Sequence, residues 1–379
     1  MGTSVAEGRV AAETVAAPVS LPPFPASAMD GFALRHADLE GPPPHTLRIL
    51  GESFAGRPWN HPVPPGSAIR IFTGAAVPEA LDTVVIQEDC DYGDGTVRIR
   101  IQPEAGENIR AAGHDVQAGQ PLVRSGTRIT AFHLGWMSAC GVTRLRVLRR
   151  PRVAIFSTGD ELVEPGGALG PGQIYDANRH LLRLLLSRLP VELQDFGILP
   201  DDPERIRATL QRAAAEADAV ITSGGVSVGD ADWVKRIVDA MGALQFWKLN
   251  LKPGKPLAYG RLGGALFFGL PGNPVSAVVT ALLIARPALL SLCGCDYQAL
   301  PFITARLDDP IAHRPGREEF QRGTLRNEGP ELVVNVTGDQ SSNRLASFAG
   351  ADCLIRIPKQ SSDLAAGDPV TVLLLASLI

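Results

Sequence analysis

The chain has 379 residues, with 45% hydrophobic and 20% charged side chains and a formal net charge of −4. At roughly 150 residues per domain this predicts two or three domains with ample apolar core, which excludes a small scaffold held together by disulfides or a metal. The mildly acidic balance offers no general attraction for nucleic acid, which needs clustered Lys and Arg, so any anionic ligand must be caught locally.

The first twenty residues interrupt their Ala/Val content with Glu7, Arg9 and Glu13 and lack the apolar core of a signal peptide. The longest apolar stretch, Val275 to Leu292, contains Arg286 and Pro287 and reads as shorter than a comfortable membrane span. A cytoplasmic protein with no membrane and no nucleic-acid partner is expected. Cys90, Cys140, Cys293, Cys295 and Cys353 are odd in number and show neither CxxC spacing nor a neighbouring His cluster. They read as buried small hydrophobes rather than as disulfides or a zinc site.

From Leu21 to Gly126, short β-rich runs at 46–51, 68–74, 83–88 and 96–101 are broken by Pro and Gly, the pattern of an all-β module. An amphipathic helix is predicted over 129–142, with a domain boundary near Pro151. Between Arg152 and about Leu300 strands at 152–157, 192–199, 217–225 and 265–270 alternate with helical stretches, the sign of βαβ units and a mostly parallel sheet. Asn178 reads as the cap of a helix over 178–188, and Asp202 with Pro203 as the cap and first residue of the next. After Pro301 four short strands, FITARL, ELVVNV, CLIRIP and PVTVLLL, predict a small C-terminal β domain.

In open α/β sheets the ligand crevice lies outside the carboxyl ends of the strands, and chemistry collects at those ends here. The segment Thr222 to Asp230 offers Gly224, Gly225, Ser227 and Gly229 ahead of a helix, a candidate cradle for phosphate; the same glycines also suit a tight turn capped by Asp230. It matches neither the Walker A pattern nor GxGxxG. Asp160, Glu161, Asp201, Asp202 and Asp232 sit at strand ends, each able to serve as a helix cap alone, while together they call for a cation such as Mg²⁺ beside a pyrophosphate. In an extended run from Trp247, Lys248, Asn250 and Lys252 share one face and can hold an oxyanion as point charges; a solvated basic strand is the plain alternative. Pro271, Gly272, Asn273 and Pro274 form a rigid turn before a long apolar helix. The histidines are dispersed with no plausible triad partner and HExxH is absent, so Gly225 to Gly229, although it spells GxSxG, gives nucleophile-elbow hydrolysis little support.

Six motifs in order, PFPASAMDGFAL (24–34), IRIFTGAAVP (69–78), STGDEL (157–162), TSGGVSVGDADW (222–233), FWKLNLKPGKPLAYG (246–260) and FFGLPGNPVSA (267–277), make the chain resemble the MoeA/gephyrin E-domain family of molybdopterin molybdenumtransferases. The resemblance spans nearly the whole chain. It implies insertion of molybdate into adenylylated molybdopterin, with Mg²⁺-dependent release of AMP, to form molybdenum cofactor. It also implies an elongated homodimer and, as further partners, the molybdopterin adenylyltransferase and molybdoenzyme apoproteins.

The implied fold is multi-domain α/β plus β. Residues 1–24 and 111–150 would form a linker and dimer domain, shortened at its start because the usual extra N-terminal helix is lacking. Residues 25–110 would be an inserted β-rich lid, 151–300 the molybdopterin-binding α/β domain, and 301–379 a small β-barrel-like domain.

Carried over from the family, Asp30 and Thr73 match functional residues of the lid. Glu161, Asp201 and Asp232 match acidic cleft positions that would also hold the metal. Lys248 and Lys252 match the paired lysines, and Asp115 a further acidic position. Pro271 and Pro274 match the rigid prolines, and Arg322 and Ser342 match molybdate- or substrate-binding positions. A molybdopterin adenylyltransferase shares the α/β domain, but the flanking β modules and paired lysines discriminate against it. A scaffold that bundles partner proteins through its dimer and a non-catalytic cofactor store stay open.

Overall fold

The computed structural model of the protein describes residues 1–225, 233–296 and 299–378. The chain divides into two compact units, one of Met1–Glu7 with Ala11–Val147 and one of Gly8–Val10 with Leu148–Ile379.

In the first unit six strands form one sheet, in the spatial order Thr83–Ile86, Gly31–Leu34, Ser67–Ile71, His45–Ser53, Thr96–Ile99, Cys90–Gly93. Successive side chains on a strand point to opposite faces. Phe32, Leu34, Ala68 and Val85 therefore pack in one cluster while Ala33, Ile69, Ile71 and Val84 pack in another. Burial on both faces explains why these runs are almost continuously apolar. The following helix is shorter than its sequence suggests, Ala131–Ala139, because the Thr130 side chain caps it and His133 closes a capping box.

In the second unit the chain runs through β1 (Arg152–Thr158), α1 (Ala177–Leu186), β2 (Glu192–Leu199), α2 (Pro203–Glu216), β3 (Ala219–Ser223), α3 (Trp233–Met241), β4 (Ala243–Lys248), β5 (Pro256–Leu262), β6 (Ala265–Leu270) and α4 (Pro274–Leu292). The sheet order is β2-β1-β3-β6-β5-β4, with the first four strands parallel and β5 antiparallel to both β6 and β4. Val153, Ile155, Ile221 and Phe268 pack on one side of the sheet, and Ala154, Phe156, Val220 and Phe267 on the other. This two-sided burial is what a parallel core requires. Val10 belongs to the first of these clusters, and the Leu148 N–H donates to its carbonyl at 2.9 Å.

Helix α4 corrects one expectation. It is 19 residues long with a mean hydropathy of 1.9, long and apolar enough to cross a membrane, and 56% of that window is buried within the protein. Its Ala277, Ala281, Ala285 and Leu289 face the sheet, while Val275, Val278, Val279 and Leu282 pack with Phe320, Leu354 and Leu373 of the C-terminal strands. A helix apolar all round is one covered on both sides. A π-turn over Ala281–Ala285 precedes Pro287, where a regular turn would drive the proline ring into the preceding carbonyl.

Strands Phe302–Leu307, Glu318–Glu328, Glu331–Val336, Cys353–Ile357 and Pro369–Leu374 close into a five-stranded barrel, since Glu318–Glu328 pairs with both Glu331–Val336 and Cys353–Ile357. Leu251–Lys252 joins this barrel, in parallel with Glu318 and Glu319. The lysine run is therefore divided. Lys248 ends β4 opposite Pro256, and Lys252 lies in a different sheet, so Lys248, Asn250 and Lys252 do not share the face of one strand. Leu251 is buried in the cluster with Val275 and Leu282 of α4. Cys90, Cys140, Cys293 and Cys353 are buried and form no disulfide among the described residues, and burial pushes the Cys90 and Cys353 thiols up to about 12.

Candidate active site

The carboxyl ends of β1, β3 and β6 open on a cavity of about 130 Å³ whose lining includes Thr158, Glu161, Asn178, Ser223, Gly224 and Gly272. Parallel strands flanked by helices put their turns on one edge, which is why residues far apart in sequence meet there. Gly224 has φ +91°, and a Cβ on it would lie 2.8 Å from the Thr158 carbonyl oxygen. Bare backbone at Gly224 is thus required by β1, next door. Gly159 has φ +146°, and a Cβ there would collide with the Glu161 carboxylate.

The floor is held by α1. Asp176, not Asn178, caps this helix, accepting from the Arg179 N–H at 3.1 Å. Asp176 also accepts from Ser157 Oγ at 3.1 Å and from Arg179 Nε at 2.9 Å, and Arg179 continues to Asp195 at 2.5 Å and to Glu164. Both Asp176 and Arg179 are buried, so their charges are kept only because each is fully paired. Asn178 is thereby freed for the cavity. Its Nδ2 donates to Ser223 Oγ at 2.8 Å and to the Gly272 carbonyl at 2.7 Å, joining α1 to the turns after β3 and β6. The Ser223 hydroxyl in turn reaches the Pro271 carbonyl at 3.4 Å. Thr158 Oγ1 is buried and has no hydrogen-bond partner among the described residues, at the wall of the cavity.

Acidic groups gather at the rim. The Asp201 N–H donates to Asp160 Oδ1 at 3.1 Å. Partial burial raises the Asp201 carboxyl above its ordinary range, and the Asp160 and Glu161 carboxylates raise it further. Among the described residues no three His, Cys, Asp or Glu side chains stand ready to hold a metal. Asp232, Ser227 and Gly229 lie outside the described residues, as does the side chain of Lys248.

The remaining candidates fall elsewhere. Lys252 Nζ pairs at 2.9 Å with buried Glu319, whose carboxylate burial pushes up but bonds from Lys252, Gln321 and His313 hold below the usual range. Arg322, matched to a molybdate- or substrate-binding position, is fully buried. Its guanidinium donates to Ser347 Oγ at 2.9 Å and to the carbonyls of Gln340, Asp339 and Ser341 at 3.2, 3.4 and 3.3 Å. It shapes the loop that carries Ser342, and Ser342 meets Asn273 ahead of α4. In the first unit Asp30 Oδ1 accepts from both the N–H and the hydroxyl of Thr73 at 2.7 Å, and these bonds hold its carboxyl below the usual range. Asp115 accepts from Trp136 Nε1 at 2.9 Å.

Sequence reasoning missed Thr158 and the true task of Asn178. The only available signal was Asp176, another capping residue just ahead of the helix.

Comparison with known proteins matches three segments of the chain. Residues 2–141 match the MoeA N-terminal region (domain I and II), 154–291 the probable molybdopterin binding domain, and 304–375 the MoeA C-terminal region (domain IV). The chain belongs to the MoeA family. It is 40% identical to the molybdopterin molybdenumtransferase of Haemophilus influenzae, covering 97% of this chain and 91% of that one. It is 36% identical to molybdopterin molybdenumtransferase 2 of Mycobacterium tuberculosis H37Rv, covering 97% and 92%. A MoeA crystal structure from Pyrococcus horikoshii OT3 aligns with TM-score 0.82 at 27% identity, covering 99% of this chain and 94% of that one. The cavity beside Thr158 and Gly224 lies within the segment matched to the molybdopterin-binding domain of the MoeA family.

Proposed function

We propose that this chain is a molybdopterin molybdenumtransferase that inserts molybdate into adenylylated molybdopterin and releases AMP in a Mg²⁺-dependent reaction. The observation that carries this reading is the cavity at the ends of β1, β3 and β6, where Gly224 leaves backbone bare, Thr158 offers an unmet hydroxyl and Asp160, Glu161 and Asp201 stand at the rim. The small cavity with one open hydroxyl suits the end of a polar ligand rather than an apolar one.

The donor set fits Mg²⁺. Carboxylate oxygens are its preferred protein ligands, one or two suffice when phosphate oxygens complete the sphere, and Asp201 is raised first by partial burial and then by the neighbouring Asp160 and Glu161 carboxylates, whose repulsion a cation would relieve. Glu161 and Asp201 would hold the ion, with Asp232 as the third carboxylate of the motif set. When bound, Mg²⁺ supplies charge neutralisation for the departing phosphate. Positioning falls to the chain itself. Asn178 locks the turns of Ser223 and Gly272 against each other, and Arg179 keeps Asp176 and hence α1 in place. No side-chain nucleophile is required, since the dithiolene of the substrate receives the metal. Asp30 and Thr73 would act from a lid over residues 25–110, within a four-part chain that works as a cytoplasmic homodimer.

The test is to mix purified protein with adenylylated molybdopterin, Mg²⁺ and molybdate and to follow AMP. Release that depends on both Mg²⁺ and molybdate supports the reading. Binding of partner proteins with no AMP release would favour a scaffold instead.

A further inference from the structure

We infer that Tyr175 is a ring-stacking residue at the cavity of β1, β3 and β6, holding a planar nitrogen heterocycle of the ligand against its face. Tyr175 lines this cavity together with Leu162 and Ile174. The short strands Leu162–Val163 and Ile174–Tyr175 pair in parallel. The Ile174 N–H donates to the Glu161 carbonyl at 2.8 Å, and the Asp176 N–H to the Val163 carbonyl at 2.9 Å. The Tyr175 backbone is thus pinned on both sides, by the residue that binds at Glu161 and by the buried cap of α1. Its hydroxyl donates to the Gly167 carbonyl at 3.0 Å, so the ring is tethered at both ends.

A tethered ring is usually a packed one. Tyr92 packs against Phe32 and lies under Arg70, and Tyr259 packs against Phe268. Tyr175 has no such ring or cation neighbour among the described residues and is 45% exposed, beside Ile174 at 56%. Fixing a ring in water costs side-chain freedom without removing apolar surface, whereas a ring fixed in advance binds a planar partner at little further cost. A ligand whose polar end sits at Thr158 and Gly224 has the Tyr175–Ile174 wall beside it. A flat heterocycle is the shape that covers a fixed aromatic face.

Adenylylated molybdopterin carries two such rings, an adenine and a pterin. Only the choice of these rings as probes rests on the function proposed above.

Calorimetric titration of the full-length protein with AMP and, separately, with 6-hydroxymethylpterin, both in the presence of Mg²⁺, tests the assignment, with ribose 5-phosphate as the probe that lacks a ring. Tyr175→Leu should weaken at least one ring compound about tenfold and leave ribose 5-phosphate unchanged. A loss for AMP alone places the adenine on Tyr175, a loss for the pterin alone places the pterin there, and a loss for both shows a face that takes either. Tyr175→Phe keeps the ring and should stay within about threefold of the parent, while Tyr92→Leu, a comparably exposed tyrosine of the first unit, should change neither affinity. Unchanged binding of both ring compounds in Tyr175→Leu, or failure of both to bind the parent at millimolar concentration, overturns the inference. So does an equal loss in Tyr175→Phe, which would assign the effect to the Gly167 bond, or a parallel loss for ribose 5-phosphate. AMP release from adenylylated molybdopterin is scored separately: release by a protein whose ring binding ignores Tyr175→Leu removes this site and leaves the proposed reaction, and ring binding that needs Tyr175 without release does the reverse.

Discussion

Asn273 Nδ2 donates to Ser342 Oγ at 3.1 Å, while the Val275 N–H donates to the Ser342 carbonyl at 3.0 Å, so the turn before α4 is fastened to a loop of the barrel domain. Asn273 stands at the helix N-cap position without capping through its side chain, because that side chain is committed to Ser342. Removing either partner should cost about 1 kcal/mol, the usual net value of one such bond. In a double-mutant cycle with Asn273→Ala and Ser342→Ala, read by urea unfolding, the two losses should fall short of additive. Strict additivity would show that the bond does not join the two segments.

Gly224→Ala should damage the cavity directly. The substitution forces an L side chain to φ +91° and presses its Cβ to 2.8 Å from the Thr158 carbonyl. A cost of about 1–3 kcal/mol is expected from the backbone strain. Thermal unfolding and AMP release should both fall, whereas Gly263→Ala, on a turn with open space around it, should show the smaller loss due to its φ of +56° alone.

Asp201 should act against stability at neutral pH. Its folded carboxyl is raised above the ordinary 3.8 by partial burial and by Asp160 and Glu161. The folded protein therefore binds the proton more tightly than the unfolded chain, and the favourable contribution is complete only at pH below the ordinary value. It is lost as pH rises through the raised one. Asp201→Asn should accordingly melt higher than the parent at pH 7, with the difference shrinking at acid pH, and should lose Mg²⁺-dependent AMP release. A variant that melts lower than the parent at pH 7 would contradict the repulsion.

Arg322 is a buried cation. Burial pulls its guanidinium down to about 10, which leaves it charged at neutral pH, and its donors serve the 339–341 carbonyls and Ser347. Arg322→Met should strand those carbonyls and cost about 3 kcal/mol or more. Arg322→Lys should rescue little, since an ammonium cannot span the same acceptors. Urea unfolding of the two variants separates this from a role in anion binding, which Lys would partly restore.

Much of the fold was legible because its causes are local. β-Branched runs marked Arg152–Thr158 and Ala219–Ser223, and Asp202 with Pro203 marked the start of α2 as cap and first helical residue. What was not legible depends on partners distant in sequence. Asp176 and Asn178 are both capping types, and only the pull of Ser157 and Arg179 on Asp176 decides between them. The lysine segment looks like one strand until the barrel claims Leu251 and Lys252 by pairing with Glu318 and Glu319. Nothing local to Arg322 in the sequence shows that the 337–347 segment wraps its guanidinium. The acidic rim was foreseeable from the strand-end rule, but the hydroxyl of Thr158 was not, since only its packed neighbours reveal that it lacks a partner among the described residues.

The placement of Val10 has a practical corollary for anyone dissecting the gene. Expressing residues 148–379 alone would delete a side chain from the middle of that unit's interior and leave the Leu148 amide without its acceptor. A faithful excision must carry residues 8–10 along, threaded back by a short tether or supplied as a separate peptide.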